Sequence, residues 1–419
     1  MQLTADFKLK AITWADGFEY CCVLDSNDYP DPYGRYEFII AAGARAVVQS
    51  SAEHAFDRLK NFYDLSPDWV FGILGYDLKN GLEDLQSNNP DHLNFPEMVF
   101  FKPEHLIISE QGILRVEIGN PELLQFLAGF SHSKTSHSNR PNLFIQARMD
   151  KDSYLKKVAN LKQHILRGDV YEVTFCQEFF AEQVEINPAE TFLQLNNNAP
   201  TPFAAYLKLK DKYVICASPE RFLRKKAQRL ISQPIKGTAA RGINETDDLK
   251  IKMQLRNDLK EQTENVMIVD LVRNDLTKSA VPASVKVEEQ FGIYSFPQVH
   301  QMISTVSCKL QENIHVIDAI KNTFPMGSMT GAPKVRAMEL IEQEELTKRA
   351  AYSGAMGYIS PDADFDFNVV IRSILYAKDT KDLSFQVGGA ITHDSVPEKE
   401  YQECLLKASA IIKTLKGPQ

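Results

Sequence analysis

Apolar and polar positions along this chain change period repeatedly, and each change marks an element. Residues 19–25, 36–42 and 69–77 are short runs rich in β-branched and aromatic residues, bounded by turn formers, and read as strands. Between the first two lies Asp28-Tyr29-Pro30-Asp31-Pro32-Tyr33-Gly34-Arg35, a turn-rich loop. Gly72 and Gly75 in the third run mark a close approach of another backbone. From residue 152 the period lengthens. Leu155, Val158, Leu161, Ile165 and Leu166 recur at helical spacing, and Gly168 supplies a stop. Residues 171–180 return to strand alternation. Further strands are expected at 203–216, 221–233, 352–360, 367–377 and 383–393, and helices at 186–197, 247–272, 315–323, 333–343 and 397–415. Strands are grouped and do not alternate strictly with helices, which is an α+β pattern.

Residues 131–142 are polar and keep no period, so they read as a flexible linker. They close an N-terminal region, 1–143, before a larger part, 144–419. His132 and His137 in that stretch are read as solvated loop residues, not metal ligands. A net charge of −8 argues against general nucleic-acid binding. An anionic ligand would have to be met by local cations or a metal. The six cysteines show no Cys-x-x-Cys and mostly lie in apolar runs, as reduced core thiols of a cytoplasmic protein do. The N-terminus carries no signal-peptide pattern, and no run of 18 apolar residues is long enough to span a membrane.

Several stretches carry residues suited to chemistry. Lys236 lies between a proline and a glycine in Pro234-Ile235-Lys236-Gly237, a rigid strand end that holds one side chain in place. Ser218-Pro219-Glu220 ends another strand and presents a carboxylate the same way. In the last helix, Ser395-Val396-Pro397-Glu398 fits a capping box. Glu400, Glu403 and Lys407 then fall within a roughly 60° arc, beside the apolar stripe of Cys404, Ala408, Ile411, Ile412 and Leu415. Glu261 and Glu264 repeat the i, i+3 spacing in 258–272, where Val266 to Val272 look apolar on all sides, as in a buried helix. A carboxylate entering such a helix must be paired, protonated or bound to metal. Glu400 and Glu403 are possible co-ligands; Arg273 and Lys407 are possible pairing partners.

Gly327-Ser328-Met329-Thr330-Gly331-Ala332-Pro333-Lys334 is not a P-loop, because Pro333 precedes the lysine and Val335 replaces Ser or Thr. A loop entering a helix can still offer N–H groups to an anion. Lys334 is open between a positioning charge and a helix-start residue. Gly388 and Gly389 mark either a bulge or a place where a ligand carboxylate reaches the backbone. Arg372 is a charge in an apolar strand and needs a partner, for which a carboxylate is natural.

Pro-Ile-Lys-Gly-Thr at 234–238, the run from Glu264 to Asp275, and Gly327 to Lys334, in this order, resemble the chorismate-utilising enzymes. These include aminodeoxychorismate synthase component I, anthranilate synthase component I, and isochorismate and salicylate synthases. The resemblance is strong over 145–415 and weak before it, where Gly75-Tyr76-Asp77 matches. It implies an α+β fold of two large antiparallel sheets packed face to face and flanked by helices, with the active site in a cleft between them. The N-terminal region would contribute strands to that unit; a tryptophan or effector pocket found there in some relatives is not expected here.

The same resemblance implies magnesium on Glu264 and Glu403, supported by Glu261 and Glu400. It implies substrate contacts at Thr238, Thr330, Tyr352, Arg372, Gly388, Gly389 and Lys407, with Ala390 where many relatives have glycine. Lys236 resembles the aminodeoxychorismate synthases, since anthranilate synthases usually carry alanine there. The implied reaction converts chorismate and ammonia to 4-amino-4-deoxychorismate, for p-aminobenzoate and folate synthesis. Lys236 would attack C2 and Glu220 would protonate the departing 4-hydroxyl, with a lowered lysine pKa and a raised glutamate pKa. Ammonia would come from a separate glutamine amidotransferase subunit, as no Cys-His glutaminase module is visible. The alternatives are anthranilate synthase component I and a non-catalytic regulator that binds chorismate or tryptophan. Gln301 stands where relatives often have histidine. It can hydrogen-bond but not transfer a proton, and His300 faces the other side of its strand.

Overall fold

Runs that lack clean alternation prove to be strands covered on both faces. In the computed structural model, which describes residues 3–130, 143–297 and 299–416, every residue of the Glu172–Ala181 strand is buried. In the Tyr20–Asp25 strand, Cys22 enters a core between two sheets, while Cys21 and Val23 enter a second core under helices. The sheets are antiparallel, one of 11 and one of 10 strands among the described residues. The first runs from Glu172–Ala181 through Asp382–Ile391, Ser373–Ala377, Lys212–Ser218 and Phe203–Leu209 to the N-terminal strands Tyr20–Asp25 and Phe38–Ala42. The second runs from Ile235–Ala240 through Val299–Lys309 and Arg221–Lys226 to Val70–Leu74 and Ala46–Ser50. N-terminal strands thus extend both sheets. Helices Lys151–Arg167, Pro188–Asn198, Lys334–Glu344 and Pro397–Lys416 cover the outer face of the first sheet. All six cysteines are buried and free. No helix among the described residues is long and apolar enough to cross a membrane. The 131–142 segment, with His132 and His137, lies outside the described residues.

Several boundaries differ from the sequence reading, each for a local reason. The spans 203–216 and 221–233 are hairpins, turned at Lys210 and Ala227 with positive φ. The span 247–272 is two helices, broken at Asp258, whose carboxylate caps the second through the N–H groups of Lys260 and Glu261. That second helix is not buried all round: Val266 is exposed, and Ile268, Val269 and Val272 form one inner face. In Lys151–Arg167 the inner face starts from Tyr154, and Leu166 points out. The expected capping box at 395–398 does not form. Ser395 Oγ accepts from Thr392 N at 3.1 Å, and Glu398 turns to Lys151 at 2.7 Å. The strand expected over 69–77 ends at Leu74, followed by the short helical turn Tyr76–Gly81. Helices Ala5–Ala15, Ala55–Asp64 and Leu123–Gly129 lie where only strands and turns were anticipated.

The span 367–377 holds the change that matters most. It is two strands, Phe365–Val369 in the second sheet and Ser373–Ala377 in the first. The chain passes between sheets at Arg372, with φ 51. A neighbouring passage, at Pro219 and Glu220, joins Lys212–Ser218 to Arg221–Lys226. The two passages are tied together: Ala217 N donates to Arg372 O at 3.2 Å, and Val369 N to Glu220 O at 3.0 Å.

Arg221 anchors this junction. It is 1% exposed, grips Asp366 through two 2.9 Å hydrogen bonds, and reaches Asp31 of the N-terminal loop and Gln233. Truncating it leaves Asp31 without its ion-pair partner and Asp366 with only the 3.5 Å contact to Arg224. Arg221→Ala is therefore expected to cost about 3–5 kcal/mol of stability, read as a lower urea midpoint.

Candidate active site

The paired passages put Glu220 and Arg372 at the mouth of the space between the sheets. Glu220 is 4% exposed. Burial pushes its carboxyl up to about 7, against the opposing pull of the Ser328 hydroxyl, Lys236, the Ile235 N–H and Arg372. Ser328 Oγ is itself buried and has no hydrogen bond of normal geometry. Among the described residues Arg372 forms no ion pair. Burial lowers its pKa, and Glu220 partly offsets this. A half-buried guanidinium without a full partner is a ready seat for a ligand carboxylate.

Lys236 enters from the Ile235–Ala240 strand of the second sheet, and Glu172 meets it from the first sheet. Lys236 Nζ lies 2.7 Å from Glu172 Oε1. Burial alone would lower the lysine pKa, yet Glu172, Glu264 and Glu220 outweigh it and the pKa is raised. This overturns the expectation of a lowered value; no local pattern shows how many carboxylates converge on one amine. The raised Glu220 pKa agrees with expectation.

Behind the lysine is an acidic group. Glu264 is buried, and burial pushes its carboxyl up to about 7; Lys236 and Lys260 oppose the rise, while Glu172 and Glu261 add to it. Glu261 is raised too, again chiefly by burial. The cation beside Glu264 is neither Arg273 nor Lys407. Lys260 Nζ lies 3.6 Å from Glu264 Oε1 and 3.8 Å from Glu400 Oε1, whereas Arg273 pairs with Asp270. Lys407 Nζ binds Glu403 Oε1 at 2.7 Å and Gly388 O at 2.8 Å, and its charge holds Glu403 below the usual carboxylate range. Gly388 is a close-approach glycine, since a Cβ there would lie 2.2 Å from Phe175 O. Gly389 instead faces the acids: a Cβ there would stand 3.5 Å from Glu400 Oε2 and 3.7 Å from Glu403 Oε1.

This donor set is made of oxygens alone, which suits a hard cation. No three acidic, histidine or cysteine side chains form a preformed metal cage among the described residues. A cation here would take one or two carboxylates and complete its shell with water and ligand oxygens, as magnesium does. Burial raises the carboxyl pKa values at Glu261 and Glu264, so these groups ionise fully only when a cation joins them.

The other expected residues divide. Tyr352 is buried, with its hydroxyl 3.8 Å from Cys176 Sγ. Thr330 turns its hydroxyl into its own loop, 3.3 Å from Met326 O and Gly327 O. Thr238 is exposed and pairs in register with Gln301, whose Oε1 is buried without a hydrogen bond. His300 turns away, to Asp248 at 2.8 Å and Ser295 at 3.0 Å. Lys334 is structural, bonded to Asp275 and to Pro325 O. Glu172, Ser328 and Lys260 were not anticipated. Alternation did place Glu172 on one strand face with Thr174 and Cys176, and Lys260 is four residues before Glu264, but neither pattern gives a distance across the cleft.

Gly331 fixes where Glu172 stands. Gly331 has φ 151, and a Cβ there would lie 2.1 Å from Glu172 O. Gly331→Ala should displace the start of the Glu172–Ala181 strand, cost about 1–3 kcal/mol, and lower turnover, as thermal melts and initial rates would show.

A separate cavity of about 280 Å³ lies between the N-terminal loop and the second sheet, lined by Tyr29, Tyr36, Phe203 and Tyr358 among others. Its charged lining is engaged internally, Arg221 with Asp31 and Asp366, and Arg35 with Glu110.

Residues 19–413 match a sequence profile described as chorismate binding enzyme. Aminodeoxychorismate synthase component 1 of Escherichia coli (strain K12) is 31% identical over 437 residues, spanning 97% of this chain and 94% of that protein. Anthranilate synthase component 1 of Thermus thermophilus is 32% identical over 389 residues, spanning 88% of this chain and 83% of that protein. In fold, the chain is similar to anthranilate synthase component I from Streptococcus pneumoniae, with a TM-score of 0.79 over 93% of this chain and 94% of that one, at 24% identity.

Proposed function

Because the chain belongs to the family of chorismate-binding enzymes, we propose that it acts as aminodeoxychorismate synthase component I. The observation that carries this reading is Lys236, held between the sheets near enough to Glu220, a carboxyl poised at about 7, for each charge to act on the other. A lysine there offers a nucleophile to a ring, and an acid of that pKa can protonate a leaving hydroxyl near neutral pH.

In the proposed reaction the Lys236 amine forms a bond to C2 of chorismate. The ring π pairs shift toward C4, the C4–O bond breaks, and the oxygen takes the Glu220 proton and leaves as water. Ammonia then bonds to C4, the π pairs shift back, and the lysine nitrogen leaves C2. The product is 4-amino-4-deoxychorismate with its enolpyruvyl group intact. Arg372, Gly389 and Gln301 would seat the substrate's oxygens. Magnesium, when bound, would be held by Glu264 and Glu403 with Glu261 and Glu400 beside them, and would polarise the ring carboxylate. Ammonia is proposed to come from a glutamine amidotransferase subunit.

The likeness to anthranilate synthases supports a second reading, amination at C2 with loss of pyruvate. Purified protein with chorismate, magnesium and ammonium salt separates the two. The expected product becomes p-aminobenzoate only when a lyase is added. Direct release of anthranilate and pyruvate would establish the second reading instead.

A further inference from the structure

Lys236 is surrounded by carboxylates from every side of the cleft. Glu172 comes from the first sheet, Glu220 from the passage between sheets, Glu264 and Glu261 from the Leu259–Thr277 helix, and Glu403 from the last helix. Arg372 is a cation facing Glu220. The 2.7 Å ion pair with Glu172 favours the ammonium form, which has no lone pair and cannot attack carbon. A nucleophilic lysine in this site therefore needs a specific group to take its proton.

Glu172 is placed for that. It alone of these acids lies within ion-pair distance of Nζ, at 2.7 Å. Its side chain is 0% exposed, and neither of its oxygens makes a well-formed hydrogen bond with any other group. Its backbone is clamped: Tyr171 N donates to Ala332 O at 2.7 Å and Thr174 N to Thr330 O at 2.8 Å. A purely structural carboxylate at such depth is normally held by several donors. When a ligand seals the cleft, moving the proton from nitrogen to oxygen removes two charges from a dry site, where charges are costly.

We propose that Glu172 is the proton acceptor that frees the Lys236 amine for attack. The N–H bond breaks and its proton bonds to Glu172 Oε1, while the nitrogen lone pair forms the bond to C2. When the lysine leaves C2 as a neutral amine, Glu172 returns the proton. This rests on the reading of Lys236 as a nucleophile.

Three proteins test it: E172Q, K236A and the double variant, each checked for folding by thermal melt. In E172Q, amination at C4 should fall by about 10²–10⁴-fold with little change in KM for chorismate. Its rate should rise with pH up to about 7 as free amine accumulates and then level off, because Glu220 is still needed as the acid, whereas the parent loses rate above about pH 7. A Lys236–substrate adduct, sought by peptide mapping without ammonia, should form correspondingly slowly. The double variant should be no slower than K236A, because Glu172 acts only through the lysine. An E172Q rate within threefold of the parent, or losses that add in the double variant, overturns the proposal. Should E172Q not fold, E172D, with its carboxylate drawn back by one carbon, takes its place: slowed turnover with the parent's pH profile supports the assignment, and full activity overturns it. A parent that releases anthranilate fails the functional reading itself, a result distinct from any of these.

Discussion

Lys236→Ala is expected to form 4-amino-4-deoxychorismate on the order of 10³-fold more slowly than the parent, because the proposed reaction loses its nucleophile. Stability must be followed alongside. The change leaves Glu172 buried opposite nothing, which costs several kcal/mol unless the carboxyl takes up a proton. Adding E172Q to the same protein should restore its melting temperature without restoring turnover. A small primary amine in the buffer should recover part of the rate, since it can occupy the vacated space and attack C2. Product formation followed by chromatography reads all three effects. A near-normal rate in folded Lys236→Ala would reduce the lysine to an electrostatic part.

Glu220→Gln should lower turnover by about 10²–10⁴-fold, since the amide keeps the shape and donates no proton to a leaving hydroxyl. The parent's pH profile supplies an independent check. Glu220 must be protonated to act, so kcat/KM should fall about tenfold per pH unit above about 7, and E220Q should lack that limb. The same residue predicts a stability change of opposite sense. Its carboxyl is raised from 4.5 to about 7 in the fold, so the folded state holds its proton more tightly than the unfolded chain. Its contribution to stability is therefore complete below pH 4.5 and lost as pH rises through about 7. The difference is about 3 kcal/mol. E220Q should accordingly melt above the parent at pH 8 and close to it at pH 4. Equal melting at both values would mean that the carboxyl is ordinary.

Motifs in the sequence picked out Lys236, Glu220, Glu264 and Gly389, because each sits on a short stretch with its own constraint: Pro-x-Lys-Gly, Ser-Pro-Glu, the paired glutamates and the Gly-Gly strand end. Their partners were illegible for a uniform reason. Glu172 lies 64 positions before Lys236 in the chain and on the opposite sheet, and strand alternation fixes a face but not a distance. For the same reason the number of acids around Lys236, and with it the sign of its pKa change, could not be read. Period also misled where one apolar run crosses between sheets: 367–377 keeps its hydrophobicity through Arg372, because both sheets bury what they receive. In the last helix the spacing put Glu400, Glu403 and Lys407 on one arc beside the buried stripe, and all three face Gly389, a contact that spacing alone does not show, whereas the helix start did not follow its capping signal.

The pairing near one end of the first sheet sets a timetable for the chain. Glu172–Ala181 bonds along its length to Asp382–Ile391, and Ser384 reaches Glu178 across 206 positions of sequence. A ribosome would therefore release the strand bearing Glu172 long before its neighbour exists. During that interval the growing polypeptide carries an open, apolar strand edge, the kind of surface that chaperones retain and that aggregates when crowded. Glu400, Glu403 and Lys407 are translated later still. The cleft then closes only after nearly the whole of this sequence has been made, so no shortened translation product ending before residue 382 can hold a half-built, partly active centre.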